Sequence, residues 1–389
     1  MNILVIIHNQ SSTGPFFKVR EMCVAISDVG NTVSLLCTSE NARFRIKRYS
    51  YKNIQIIEAP DILWGKLRQG IDIWNIFNRL IFVTRNNYDI VHGIDCRPVV
   101  ILPALLLKYF KKTKFVLSWW DLFGHGATST ERSGKLYSKT LGMVETLFEE
   151  YFRRFADSAT VVSSFLQTKL GSLGYPSSRI ELHRIGCNPI DLTGYNKLII
   201  RKEFNFDENK IILCYVGTLF EKDKNLLIDS LRMLKKNITN FPLTIIVGNT
   251  HIKANICEEL SIKLLGRIES HIDLRKILFS SDYALIPMKT SIANNARWPS
   301  KSADYWSVGL PVISTPISDY PTIFPQYNLG YLSKTDSPED YSNAIYSAIN
   351  SPKNVYQIKQ NAIADFVKNE LDWTVLGQRL TNLYKNILD

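Results

Sequence analysis

Residues Lys210–Phe220 read KIILCYVGTLF, and residues Lys224–Asn237 read KNLLIDSLRMLKKN. The first is a short apolar, β-rich run that ends at Gly217. The second carries apolar residues at helical spacing. A strand that runs into a glycine and then into a helix is the repeating unit of a parallel α/β sheet. The place of this stretch in the chain gives it its weight. It restarts, beyond residue 200, a pattern that has already run once from the first residue.

Working back from it, strands are expected over Ile3–Ile7, Thr32–Cys37, Ile54–Ala59, Ile90–His92, Lys114–Ser118 and Ser158–Ser164, with longer amphipathic stretches between them. Working forward, LTIIVG, IKLLG, YALIP and PVIST read as further strands. The turn-rich GCNPIDLTGYNK, Gly186–Lys197, parts the two series. The expectation is a first domain over residues 1–190 and a second over 191–371. Residues 372–389 form an amphipathic helix, with Val375, Leu380, Leu383, Tyr384 and Ile387 near one face, that packs back onto the first domain.

Two domains also suit the length, because 389 residues exceed the size at which one core usually keeps growing. The opening MNILVIIHNQ has neither a basic leader nor a small-residue cleavage site, so it reads as a strand and not as a signal peptide. The longest apolar run, Pro98–Phe110, falls short of the ~20 residues that span a bilayer. A cytoplasmic protein is expected. The six cysteines show no CxxC and no Cys/His pairing at zinc-ligand spacing, which argues for reduced thiols and against a metal site built from them.

Further along, Asn294–Pro316 reads NNARWPSKSADYWSVGLPVISTP. Its second half is a glycine turn feeding an apolar β-branched strand. Its first half sets Arg297, Lys301 and Asp304 just before and within an expected helix, in a region that otherwise looks buried.

Taken in order, these motifs resemble glycosyltransferase family 4, the retaining nucleotide-sugar enzymes. Their signature is a pair of glutamates with seven residues between them, followed by a Gly-x-Pro-Val strand. Aligned on Gly309-Leu310-Pro311-Val312, the second acid falls on Asp304 and the first on Ala296. Arg297–Tyr305 is similar to a variant pattern in part of the family, Arg-aromatic-Pro-Ser/Asn-Lys-x-x-Glu/Asp-Tyr. VGTLFEKDKNLLID resembles the family's glycine strand and basic loop, with Thr218 where an arginine is common and either Lys224 or Lys222 as the loop lysine. IKLLGRIES resembles the segment whose backbone borders the nucleotide base, and includes Arg267. YDIVHGID, FVLSWWDLFGHG and SSTGPFFKVREM resemble landmarks of the N-terminal domain. Trp120 stands where other members place a histidine.

The resemblance implies the GT-B fold: two doubly wound Rossmann-like domains facing across a cleft, the first meeting the acceptor and the second the donor. It implies donor contacts at Gly14, Gly217, Thr218, Lys224, Arg267, Arg297, Ser300, Lys301 and Asp304. Catalytic positions fall on Asp121, His125 and Lys301. A diphosphate leaving group is stabilised by cations and helix-start N–H groups, which Lys301, Ser300 and Lys224 would supply, while Asp304 would accept from ribose hydroxyls. No metal and no cofactor is then expected. On spacing alone, Lys301 and Asp304 equally suit a solvated helix-start charge pair, Asp121 a helix cap and His125 an ordinary loop histidine.

Charge is uneven. Residues 1–190 hold 24 Lys and Arg against 15 Asp and Glu, and the remainder 23 against 21. RFRIKRYSYK (Arg43–Lys52) and Ile62–Arg85 interleave cations with aromatics, a mixture that favours an anionic bilayer surface. No nucleic-acid motif accompanies it, and no nucleic-acid partner is expected.

The reading is a retaining glycosyltransferase, peripheral at the inner face of the cell membrane. It would move a hexose from a nucleotide-sugar donor to a glycan or lipid-linked acceptor in bacterial-type surface polysaccharide biosynthesis. Two other classes stay open: a nucleotide-sugar epimerase on the same fold, and a non-catalytic sugar- or nucleic-acid-binding module.

Overall fold

A computed structural model of the chain describes residues 1–63, 70–124 and 141–389. These fold as two compact units. Unit 1 comprises Met1–Gly186, Ala296–Trp298 and Asp372–Asp389, and unit 2 comprises Cys187–Asn295 and Pro299–Leu371. The break after Gly186 falls a few residues before the one read from the sequence. The three-residue excursion Ala296–Trp298 was not foreseen at all.

Unit 1 is built on an eight-stranded sheet of β1 (Asn2–Gln10), β2 (Thr32–Thr38), β3 (Lys47–Tyr51), β4 (Ile54–Ala59), β5 (Ile90–Ile94), β6 (Lys114–Trp119), β7 (Ser158–Val161) and β8 (Ile180–Leu182). Their order is β3-β4-β2-β1-β5-β6-β7-β8, parallel throughout except for β3 against β4. The run Ile3–Ile7 in β1 has no exposed residue, because helices cover both faces of a central parallel strand. Leu4 and Ile6 join the cluster formed by Val99, Val100 and Leu107 of the helix Pro98–Lys111 and by Phe82 and Val83 of the helix Ile73–Thr84.

The helix Gly14–Asp28 packs instead against the C-terminal helix Trp373–Leu388. Their approach is so close that a Cβ on Gly377 would lie 2.8 Å from the backbone of Ala25. Tyr384 of the same C-terminal helix binds His92 Nδ1 at 2.6 Å, and Ser118 Oγ meets the other ring nitrogen at 2.7 Å. Burial holds that imidazole far down the scale, at about 3, so His92 is a neutral, fully bonded core residue.

Unit 2 carries six parallel strands: β9 (Ile212–Val216), β10 (Leu243–Val247), β11 (Ile262–Gly266), β12 (Tyr283–Ile286), β13 (Val312–Ser314) and β14 (Gly330–Leu332). Their order, β11-β10-β9-β12-β13-β14, is the doubly wound one in which the chain works outward from the first strand and then returns to build the other side. In this unit the reversal lies between β9 and β12, and in unit 1 between β1 and β5. Ligands of such sheets bind outside the carboxyl ends of the strands at that reversal.

Three strands escaped the sequence reading. β3 lies inside RFRIKRYSYK, whose cations and aromatics mask an exposed edge strand. Its Tyr49 donates to Glu58 Oε1 of β4 at 3.1 Å. β8 and β14 have three residues each and, unlike the equally short β13, none of them is fully buried, so no apolar run marks them.

Candidate functional site

The carboxyl end of β9 is tied down by a phenol. Tyr305, buried in the helix Ser300–Trp306, accepts from the Val216 N–H at 2.8 Å. The next residue, Gly217, has φ of +114°, and its N–H donates to Val247 O at 2.8 Å. Gly248 (φ +128°) passes so near that a Cβ there would lie 2.4 Å from Gly217 O. The chain ends of β9 and β10 therefore present bare backbone, and only glycine permits it at these two points.

Lys301 stands beside this backbone. A Cβ on Gly217 would lie 3.8 Å from the Lys301 ammonium. That ammonium donates to Tyr215 Oη at 2.7 Å, and Tyr215 in turn donates to Thr218 O at 2.9 Å. Burial, with Asp223 nearby, pushes the Tyr215 phenol far above its ordinary range, so it stays protonated and serves as donor and acceptor at once. The result is a half-buried cation held at the sheet's reversal point, next to a backbone stripped of side chains. Such a place suits an anionic group such as a phosphate.

The other residues expected in this unit are spread around it. Ser300 and Asp304 sit half-buried on the same short helix, with Asp304 three residues beyond Lys301 and its carbonyl accepting from Ser307 Oγ. Lys224, on the helix Glu221–Asn237, pairs with Glu221 at 2.7 Å and donates to His251 O at 3.3 Å. Thr218 is exposed. Arg267 is 69% exposed and lies 3.8 Å from Glu269. Asp223 was not foreseen; it is buried and accepts from the Lys289 N–H at 2.9 Å.

In unit 1 the corresponding end of the sheet gathers carboxylates. Asp95 follows β5 with φ of +61° and is 4% exposed. Its Oδ1 accepts from the Trp120 N–H at 2.9 Å and the Asp121 N–H at 3.4 Å, just past the end of β6. Glu149, also buried, accepts from Trp119 Nε1, the Phe123 N–H and the Gly124 N–H at 2.7–3.1 Å. Arg153 lies over the Trp119 ring, 4.0 Å from its centroid. The loop that carries Asp121 is thus held by its backbone from two sides, and its side chain is left 40% exposed.

Arg297 meets Asp121 there: its Nε lies 3.2 Å from Asp121 Oδ1. Its neighbour Trp298 is 2% exposed, with the Arg184 guanidinium 5.0 Å from its ring centroid. Arg297 therefore belongs with the acid of unit 1, whereas Ser300, Lys301 and Asp304, a few residues on, belong to unit 2. Gly14 opens the helix after β1, and a Cβ there would meet nothing within 4 Å. His125 lies outside the described residues.

In unit 1, Asp95 and Glu149 are residues the sequence reading left out, as it left out Tyr215, Asp223 and Tyr305 in unit 2. Asp95 carried a signal, an acid closing the buried strand of YDIVHGID. Glu149 carried none, because one glutamate of LFEEYFRRF looks like any other until the 119–124 loop folds onto it.

Residues 196–365 match the model of the family described as glycosyl transferases group 1. Chitobiosyldiphosphodolichol beta-mannosyltransferase of Kluyveromyces lactis is 22% identical over 403 residues, covering 90% of this chain and 87% of its own. Among solved structures, sucrose-phosphate synthase from Thermosynechococcus elongatus superposes with a TM-score of 0.74 at 14% identity, over 100% of this chain and 99% of that one. WaaG, a glycosyltransferase involved in lipopolysaccharide biosynthesis, gives 0.70 at 13% identity over 98% and 99%. Anabaena Alr3699/HepE, in complex with UDP-glucose, gives 0.70 at 14% identity over 99% and 100%. The two-sheet α/β fold is thus shared from end to end.

Proposed function

We propose that this chain, whose residues 196–365 match the model of the glycosyl transferases group 1 family, transfers a hexose from a nucleotide-sugar donor bound by unit 2 to a glycan or lipid-linked acceptor met by unit 1. The observation that carries this reading is the Lys301 ammonium beside the bare Gly217 backbone. A nucleotide sugar leaves as a diphosphate, and negative charge grows on the bridging oxygen as the bond to the sugar breaks. A cation already fixed at that place stabilises the transition state more than the ground state. Asp304 on the same helix supplies an acceptor for ribose hydroxyls. This cation takes the part a divalent metal plays elsewhere, so the reaction needs none.

The Anabaena structure names UDP-glucose, which supports the donor class. The name of the yeast relative specifies a diphosphodolichol acceptor, which supports a lipid-linked one here, and WaaG supports a place in surface polysaccharide assembly. No helix of the described residues is long and apolar enough to cross a membrane. Peripheral contact instead suits Phe44 (78% exposed), Ile73 (82%) and Phe77 (51%), which stand near each other because Trp74 donates to Arg43 O and stacks on Phe77. Arg79 belongs to no such surface. It is fully buried, with its guanidinium donating to Ile7 O, Val99 O and Thr38 Oγ1.

With retention, the acceptor oxygen attacks the face from which the diphosphate departs. The C1–O bond to phosphate breaks, the C1–O bond to the acceptor forms, and the acceptor proton passes to the departing diphosphate. The "beta" in the yeast relative's name favours a second reading, inversion, in which a unit 1 carboxylate such as Asp121 takes that proton. Incubation with a panel of nucleotide sugars and lipid-diphosphate glycans, read by nucleoside diphosphate release and by product anomer, tests both. Release of an epimerised free sugar, or no turnover of any donor, would remove the transferase reading.

A further inference from the structure

We propose that Asp95 is a positioning residue for the acceptor side of this site: its carboxylate aims Asp121 by holding the Trp120 and Asp121 N–H groups, and its protonation slackens that hold. The proposal rests on the glycosyltransferase reading for its kinetic consequence and on geometry for the rest.

The geometry is specific. Asp95 occupies a left-handed conformation, φ +61°, which costs a non-glycine residue free energy and brings its side chain back across the end of the sheet. Its own N–H donates to Ser118 O at 3.0 Å, locking β5 to β6 at that level. Oδ1 takes both N–H groups of the following loop, and Oδ2 accepts no hydrogen bond from the described residues. Asp121, aimed in this way, faces Arg297 at 3.2 Å. Removing the Asp95 charge therefore acts on Asp121 through its backbone, while the rest of the sheet end stays held by Glu149.

The groups around Asp95 come from three elements. Asp121, on the loop after β6, repels its charge. Glu149 repels it and Arg153 attracts it from the 147–155 segment. Cys96, its chain neighbour, has its thiol pushed up to about 12 and stays neutral. Burial is the largest influence and Asp121 the next, and together they bring the Asp95 carboxyl up to about 7. Charge-assisted hydrogen bonds from the loop N–H groups are then at full strength above neutral pH and weaken below it.

The sign for stability runs the other way. A carboxyl raised in the fold binds a proton that the unfolded chain has already lost, so its contribution to stability falls as pH rises from the ordinary carboxylate range to about 7. A buried charge retained at the expense of stability is what a positioning role implies and what a merely structural role does not.

The test uses the full chain with ¹³C-carboxyl aspartate and the Asp95→Asn variant, in which Asn Oδ1 still accepts both N–H groups. Expected are a carboxyl resonance, absent in Asp95→Asn, with a midpoint near 7, and a fall of that midpoint in Asp121→Asn. Asp95→Asn should melt above wild type at pH 8 and converge with it toward pH 5. Its acceptor KM should rise about tenfold at pH 8, with kcat and donor KM less affected and the acid limb of the wild-type profile gone. An Asp95 midpoint in the ordinary carboxylate range, or one indifferent to Asp121→Asn, overturns the proposal. Wild-type acceptor KM and acid limb in Asp95→Asn overturn it equally. A chain that turns over no donor overturns the functional reading and the acceptor role with it, whereas the carboxyl titration judges the Asp95–Asp121 coupling alone.

Discussion

Arg297 Nε and Asp121 Oδ1 lie 3.2 Å apart, joining two stretches separated by more than 170 residues of chain. The Asp121 side chain is 40% exposed, so the worth of the contact as an ion pair is small. Its importance lies in direction. A guanidinium that holds one face of the Asp121 carboxylate would, under the proposed transferase reading, leave the other to meet an acceptor hydroxyl.

A double-mutant cycle on Arg297→Ala and Asp121→Ala, read in kcat/KM for acceptor, is therefore expected to be non-additive by about 1 kcal/mol. The second substitution should cost far less once the first has been made. Full additivity would mean that the contact plays no part in turnover.

For Lys301→Ala, kcat should fall by about 100-fold while donor KM changes little, since the lost contact strengthens as charge develops on the leaving diphosphate. Tyr215→Phe removes the oxygen that holds the ammonium and should cost about 3–10-fold in kcat. Asp304→Asn is expected to weaken donor binding instead, because a ribose contact is present in ground and transition states alike. Steady-state kinetics with melting temperatures decide. Wild-type kinetics in both Lys301→Ala and Asp304→Asn would remove the donor-site assignment.

Under the proposed reading, in which the Lys301 ammonium serves the diphosphate, treatment with EDTA should leave turnover intact. Loss of activity that Mg²⁺ or Mn²⁺ restores would show that the cation is a minor partner.

Sedimentation with anionic vesicles should be partial at low salt and reversed at high salt, because surface attraction decays within a Debye length. Phe44→Ser with Phe77→Ser should lower the bound fraction without altering turnover of a water-soluble acceptor. Equal binding to neutral vesicles, or no effect of the double change, would place the membrane contact elsewhere.

Several features were legible before any fold was built. The glycine after Val216 and the helical spacing beyond it mark β9 and its helix, and the buried run of β1 shows a central strand. Backbone periodicity and burial are local properties, and the apolar pattern records them directly. The place of Lys301 on a helix just ahead of the Gly-x-Pro-Val strand was legible for a similar reason, since it is a matter of order along the chain. The six scattered cysteines likewise proved to be free thiols among the described residues.

What the linear order concealed is which side chains end up together. Arg297 and Lys301 are four residues apart and read as one cluster, yet the first belongs to unit 1 and the second to unit 2. Nothing in the spacing announces this, because the chain merely turns between a five-residue and a seven-residue helix. Asp95 and Glu149 became visible only when β5, β6 and the 147–155 segment converged on one loop, and Tyr215 only when the helix Ser300–Trp306 laid its lysine across it. The class of sheet, the double start and the kinds of side chain at the strand ends were readable from the linear order, since those depend on near neighbours along the chain. Tertiary structure alone decided which carboxyl is buried, which cation faces it and so which group titrates near neutrality, because desolvation and charge proximity are set by residues distant in sequence.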